Sequence, residues 1–74
     1  MIDPQLQILI EEADKKKLIG SHREAIQMCE KVLLYDLDCS EAYEEIGDNY
    51  LSLHDYQRAK KALDRAIHLN PYSP

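Results

Sequence analysis

The sequence predicts an all-α fold of two tandem helix-turn-helix units, and three observations carry that expectation. Apolar residues recur at three- and four-residue steps in four stretches, caps and helix breakers divide the stretches, and the first pair matches the second at an offset of 34 residues. Nowhere do apolar and polar residues alternate over the length of a strand.

The first helix opens at Asp3, an N-cap residue followed by Pro4 at the first helical position, where a missing N–H costs nothing. Leu6, Leu9, Ile10 and Ala13 then share one face, and Gly20 stops the helix. Ser21-His22-Arg23-Glu24 has the form of a capping box and opens a second helix. Its apolar stripe is Ala25, Cys29, Val32 and Leu33, with Ile26 and Met28 beside it. Asp38-Cys39-Ser40-Glu41 is another cap pattern, and Ala42, Tyr43, Ile46, Gly47, Tyr50 and Leu53 follow on one face. Asp55 caps the fourth helix, whose stripe is Tyr56, Ala59, Ala62, Leu63, Ala66 and Ile67. Asn70-Pro71 ends it, because the residue before a proline is pushed out of helical conformation.

The 34-residue offset lays Gly20 over His54, Ser21 over Asp55, Ala25 over Ala59, Cys29 over Leu63, Val32 over Ala66 and Leu33 over Ile67. The second unit reads Tyr43-x-x-Ile46-Gly47-x-x-Tyr50, followed by Tyr56, Ala59, Leu63, Ala66 and Pro71. This resembles the tetratricopeptide repeat family, in which a Trp-x-x-Leu-Gly-x-x-Tyr run opens each unit. The resemblance extends from about Leu6 to Pro71. It implies one domain over residues 1–74, with repeat one at about 6–39 and repeat two at about 40–73, forming a fragment of a right-handed α-solenoid. The first unit departs from the pattern, with Leu9 at the aromatic position, Glu12 for Leu, Lys16 for Tyr and Leu37 for Pro. Such departures suit an end repeat, one side of which has no neighbour, and the Lys16 ammonium must then reach out to solvent. His54 stands where the family usually has Gly, and His tolerates a positive φ better than a β-branched residue does.

Composition narrows the function. A chain of 74 residues makes one domain at most and buries only about 60% of its unfolded surface. Two cysteines, Cys29 and Cys39, do not make a disulfide framework, and Cys29 on a helix face suits a reducing compartment. The start Met1-Ile2-Asp3-Pro4 carries no basic stretch or apolar core, and no apolar run approaches the length of a membrane span. A cytoplasmic protein without membrane insertion is expected. The net charge is −5, and between Lys31 and Arg58 there is no Lys or Arg among many carboxylates. Such a block repels phosphate backbones, which argues against nucleic acid and for a basic protein partner.

Catalytic and metal readings find little support. Asp64 and His68 read as a local ion pair, since no further His or Cys stands beside them at ligand spacing. Cys29 and His22 share a helix two turns apart without a third, orienting group. Asp36-Leu37-Asp38 lacks the glycine and terminal glutamate of a calcium loop. Lys15-Lys16-Lys17 reads as a solvated cluster at a helix C-terminus. No enzyme, metal or cofactor is expected.

The resemblance implies instead a scaffold or adaptor, with the first helix of each unit lining a concave groove. Carried onto this chain, the groove positions are Gln7, Ile10, Asp14, Lys17 and Leu18, then Glu41, Glu44, Asp48, Leu51 and Ser52. An acidic groove of this kind would take a basic or mixed basic-apolar peptide segment. The carboxylate-clamp variant of the family is disfavoured, because its cationic positions fall on Ile10, Asp14 and Glu45. An alternative role is self-association. Two repeats leave apolar ends, at Ile2, Leu6 and Ile8 on one side and Leu63 and Ile67 on the other, which a second copy in a homodimer or the rest of a longer array would cover.

Overall fold

The computed structural model describes residues 3–72. It consists of α1 (Pro4–Leu18), α2 (His22–Tyr35), α3 (Ser40–Ser52) and α4 (Tyr56–Leu69), with no strand among the described residues. Consecutive helices pack on one another as two hairpins, α1 with α2 and α3 with α4. The hairpins meet chiefly through α3 on α2, with a lighter contact of α3 on α1, and α2 and α4 lie apart.

Both hairpin turns close in the same way, 34 residues apart. After α1, the Gly20 N–H reaches the Lys17 carbonyl at 3.0 Å and the Ser21 N–H reaches the Lys16 carbonyl at 2.8 Å. After α3, His54 reaches Leu51 at 3.0 Å and Asp55 reaches Tyr50 at 2.9 Å. This is the Schellman closure, which requires a left-handed residue just past the helix. Gly20 supplies it at φ 85° and His54 at φ 62°. The His54 turn is the strained one, because a Cβ crowds the following carbonyl in that region. His54→Gly should therefore stabilise the chain by about 0.5–1 kcal/mol, read as a higher urea midpoint, despite the loss of the His54 Nδ1 to Tyr56 hydroxyl contact at 2.9 Å.

Two of the four caps form as expected. Asp3 accepts from the Gln5 N–H at 2.7 Å, and Asp55 accepts from the Arg58 N–H at 3.3 Å. The capping box at Ser21 does not form. Ser21 stands at the N-cap with ψ 62°, and its hydroxyl makes no cap hydrogen bond. Its own N–H is already committed to closing α1, and Glu24, the other half of the box, turns to the Lys16 ammonium at 3.3 Å. Lys16 thus reaches the surface by way of Glu24. At α3 the N-cap is Cys39, also without a side-chain cap bond. Nearby, the Asp36 carboxylate accepts from the Asp38 N–H at 3.1 Å, so Asp36-Leu37-Asp38 is a turn.

The core is made of small side chains. Ala13, Ala25, Cys29, Val32, Ala42 and Ala59 are fully buried, and Ile26, Ile46, Ala62 and Ala66 nearly so. Leu6 and Ile10 belong to the same core, which corrects two expectations. Leu6 is not an exposed end residue, and Ile10, 6% exposed, does not line a groove. Both sit on the α1 stripe with Ala13, facing α2 and α3, and the hydrophobic gain from that burial outweighs the family register that assigned Ile10 to the opposite side.

Candidate functional site

The side chains that bring α1 and α3 together near their C-terminal ends are charged. The Lys17 ammonium stands 3.1 Å from Asp14, 3.3 Å from Glu45 and 3.6 Å from Asp48. Asp14 lies three residues back on α1, and Glu45 and Asp48 are three apart on α3, so each pair shares a helix face. The contact is sheltered, with the Glu45 side chain only 16% exposed. One Glu45 oxygen is hydrogen-bonded to Lys17, while Oε2 is buried without a partner among the described residues. The lysine run is therefore not uniformly solvated. Lys15 and Lys16 point outward to glutamates, and Lys17 turns inward.

Both members of the central pair are shifted upward, for different reasons. Desolvation pushes the Glu45 carboxyl above its ordinary value, and the neighbouring Lys17 charge only partly offsets this. Desolvation by itself would lower Lys17, but hydrogen bonding and charge from Asp14 and Glu45 outweigh it, and its pKa is raised. Folded Glu45 thus holds its proton more tightly than unfolded Glu45 does. The associated stability is present below the unfolded value and is lost as pH rises through the folded one. Between the two values, stability should fall as pH rises, and Glu45→Gln should remove that component. Urea unfolding at several pH values just above the ordinary 4.5 of glutamate measures the slope in both proteins. An unchanged slope in the variant would rule the assignment out.

A hydrogen-bonded network of Asn49 and His22 supports the acidic cluster from behind. Asn49, at 0% exposure, donates from Nδ2 to the Glu45 carbonyl at 2.6 Å, and its Oδ1 meets His22 Nδ1 of α2 at 2.9 Å. Asn49 was not anticipated from the sequence. The signal available was its place on the Ala42–Ile46 stripe, three residues beyond Ile46, where a polar residue must find partners within the fold.

The other expected groove residues divide by burial. Gln7, Asp14, Lys17 and Glu44 are half-buried, and Leu18, Glu41, Asp48, Leu51 and Ser52 are exposed. Among the end residues, Ile8 and Ile67 stand open at 57% and 63%. Leu63 does not, since it packs against Gly47 in the α3–α4 hairpin. Ile2 lies outside the described residues. Leu34, Tyr35 and Leu37, around the connection between the hairpins, are more exposed than either isoleucine and were not anticipated.

Cys29 and Cys39 are both free and buried. The Cys29 thiol is pushed up to about 12, mainly by burial and next by the Glu45 charge, and burial also raises Cys39. Such thiols are poor nucleophiles at neutral pH. Asp64 pairs with Lys60 at 3.2 Å rather than with His68, which corrects the expected ion pair, because Lys60 carries a full charge one turn away. No group of three or more potential metal ligands forms among the described residues. No helix among them is long and apolar enough to cross a membrane.

The helix pairing, the closely packed Gly47 and the repeated turn closures agree with a further finding, that the family model for the tetratricopeptide repeat matches residues 40–73. The second unit is thus a tetratricopeptide repeat. No curated protein matches the chain. Tetratricopeptide repeats in general mediate protein–protein interactions and act as scaffolds or adaptors rather than enzymes.

Proposed function

We propose that this tetratricopeptide repeat protein is a non-catalytic adaptor whose α1–α3 face takes a basic or mixed basic-apolar segment of a partner. One observation carries the reading. The face already holds an ammonium group, that of Lys17, among Asp14, Glu45 and Asp48. Glu41 and Glu44 continue the row of carboxylates along α3. Leu51 and Leu18 give the same face exposed apolar surface. A partner Lys or Arg arriving there meets a complementary field, which speeds encounter and sets register. Residues 6–39 serve as the degenerate first repeat, and a cytoplasmic setting fits the two buried free thiols.

A labelled peptide of alternating Lys and Leu is the probe. Glu41→Lys with Glu44→Lys should weaken its binding about tenfold and flatten its salt dependence. Fluorescence anisotropy reads both effects, and equal affinity in the variant would refute the site. This pair tests the face better than Asp48 does, because reversing Asp48 would also repel Lys17.

The open positions of Ile8 and Ile67 favour a second role, self-association through the two ends. Light scattering on a sizing column should then show a dimer that Ile8→Gln with Ile67→Gln converts to monomer. A monomer at every concentration would remove this role and leave the acidic face untouched.

A further inference from the structure

The molecule carries a second surface of opposite sign. Between the separated α2 and α4 runs an open cleft of about 430 Å³. Tyr43, Ile46 and Tyr50 of α3 form its floor, and Arg58, Lys61 and Arg65 of α4 form one wall. Glu30, on α2, is the carboxylate in the cleft. The steps of three and four between the cations align them along one side of α4, over about 10 Å at 1.5 Å per residue. The whole of α4 carries Arg58, Lys60, Lys61 and Arg65 against the single carboxylate Asp64, in a chain whose net charge is −5.

The guanidinium groups are held in place. Arg58 Cζ lies 6.0 Å from the Tyr50 ring centroid and Arg65 Cζ lies 6.0 Å from that of Tyr43. Stacking on a ring orients the planar fork while leaving N–H donors at its edge for a carboxylate. Arg58 gives one nitrogen to the cap residue Asp55 at 2.7 Å, and the carboxylate nearest Arg65 is that of exposed Asp38, at 3.9 Å. Lys61 makes no ion pair among the described residues. The wall therefore retains unspent positive charge above an apolar, aromatic floor.

We propose that this α2–α4 cleft docks an acidic amphipathic helix of a partner protein, lying along α4 with carboxylates toward Arg58, Lys61 and Arg65 and apolar side chains on the tyrosine floor. The cleft admits side chains and not a whole helix, whose diameter is about 10 Å, so the partner's backbone rides above it. A basic segment is repelled here. The chain's own acidic helix α3 does not suit the role in a second copy, since its apolar face is buried in its own fold. The adaptor would thus hold basic and acidic segments on separate faces, and neither site depends on the other.

The test uses the whole chain and a fluorescein-labelled helical peptide with Glu at every third or fourth position and Leu on the opposite face. A counterpart with Lys in place of Glu is the control. The acidic peptide should bind saturably, with affinity falling as salt rises from about 0.05 to about 0.5 M. Lys61→Glu with Arg65→Glu should weaken it about tenfold or more, while Glu41→Lys with Glu44→Lys leaves it unchanged or slightly tighter. Both cleft substitutions are at exposed positions, and circular dichroism checks the fold. Should the reversals unfold the chain, Lys61→Gln with Arg65→Gln replaces them. Equal affinity in the cleft variant, the absence of saturable binding, or stronger binding of the Lys peptide overturns the proposal. So does sedimentation in which the native chain is a dimer and the cleft variant a monomer, which would make a second copy the occupant.

Discussion

Gly47→Val should destabilise the chain by about 3 kcal/mol, measured as a large drop in urea midpoint or outright loss of helical signal. Gly47 stands where α3 packs against Ala59 and Leu63 of α4. A Cβ there would lie 2.5 Å from Leu63 Cγ, 2.6 Å from Leu63 Cδ2 and 3.4 Å from the Ala59 carbonyl oxygen. The leucine can change rotamer, and the carbonyl is in ordinary contact with a Cβ, but groups carried beyond the Cβ press on that backbone, which cannot withdraw without moving α4. Valine adds two further methyl groups with a nearly fixed χ1, so at least one obstacle persists in any rotamer. The better helix propensity of a non-glycine residue returns only about 0.5 kcal/mol. In a small domain stabilised by about 3–5 kcal/mol, the loss shifts much of the population to the unfolded state. Gly47→Ala isolates the cause, because combining it with Leu63→Ala should cost less than the sum of the two single changes. Simple additivity would mean that Leu63 does not press on Gly47.

The same glycine shows why much of the fold was legible in the sequence. A 34-residue offset constrains turns, stripes and close approaches together, so Gly20 and His54 fall at equivalent left-handed positions and Asp36 and Asn70 at equivalent helix ends. Local signals alone did less well. Ser21 and Glu24 satisfy a capping-box pattern, yet the geometry that closes α1 directs both elsewhere. The acidic site was legible in its residue types but not in its pairing. Lys15, Lys16 and Lys17 are chemically identical neighbours, and only the angle at which α1 meets α3 selects Lys17 for Glu45, 28 residues away. Asn49 stayed hidden for the same reason, since its partners Glu45 and His22 come from different helices. The basic cleft is a longer-range feature still, because its floor and walls come from three helices.

Ile10→Ala should cost about 3 kcal/mol and leave the affinity of folded molecules for a basic peptide unchanged. The sequence placed Ile10 in two incompatible roles, on the α1 stripe with Leu6 and Ala13 and in the groove with Gln7 and Asp14. Stripe and groove face different ways, so one side chain cannot serve both. At 6% exposure, in one cluster with Leu6, Ala13 and Ile46, Ile10 serves the stripe. Truncation removes three buried carbons and leaves a cavity that rigid helices close only in part, which places the change in the usual range for core isoleucine. Gln7→Ala, one turn earlier on the half-buried side, supplies the contrast, with an expected change within about 0.5 kcal/mol. Unfolding curves for the two variants, each paired with anisotropy at a peptide concentration where the native chain is half-bound, separate the possibilities. A stable Ile10→Ala protein with impaired binding would return Ile10 to the groove, rotate α1 by a large angle about its axis and undo the Lys17–Glu45 contact with it. An unstable protein whose folded fraction binds normally fixes α1 as it stands, with the acidic face built from Asp14 and Lys17 and the core from Leu6, Ile10 and Ala13.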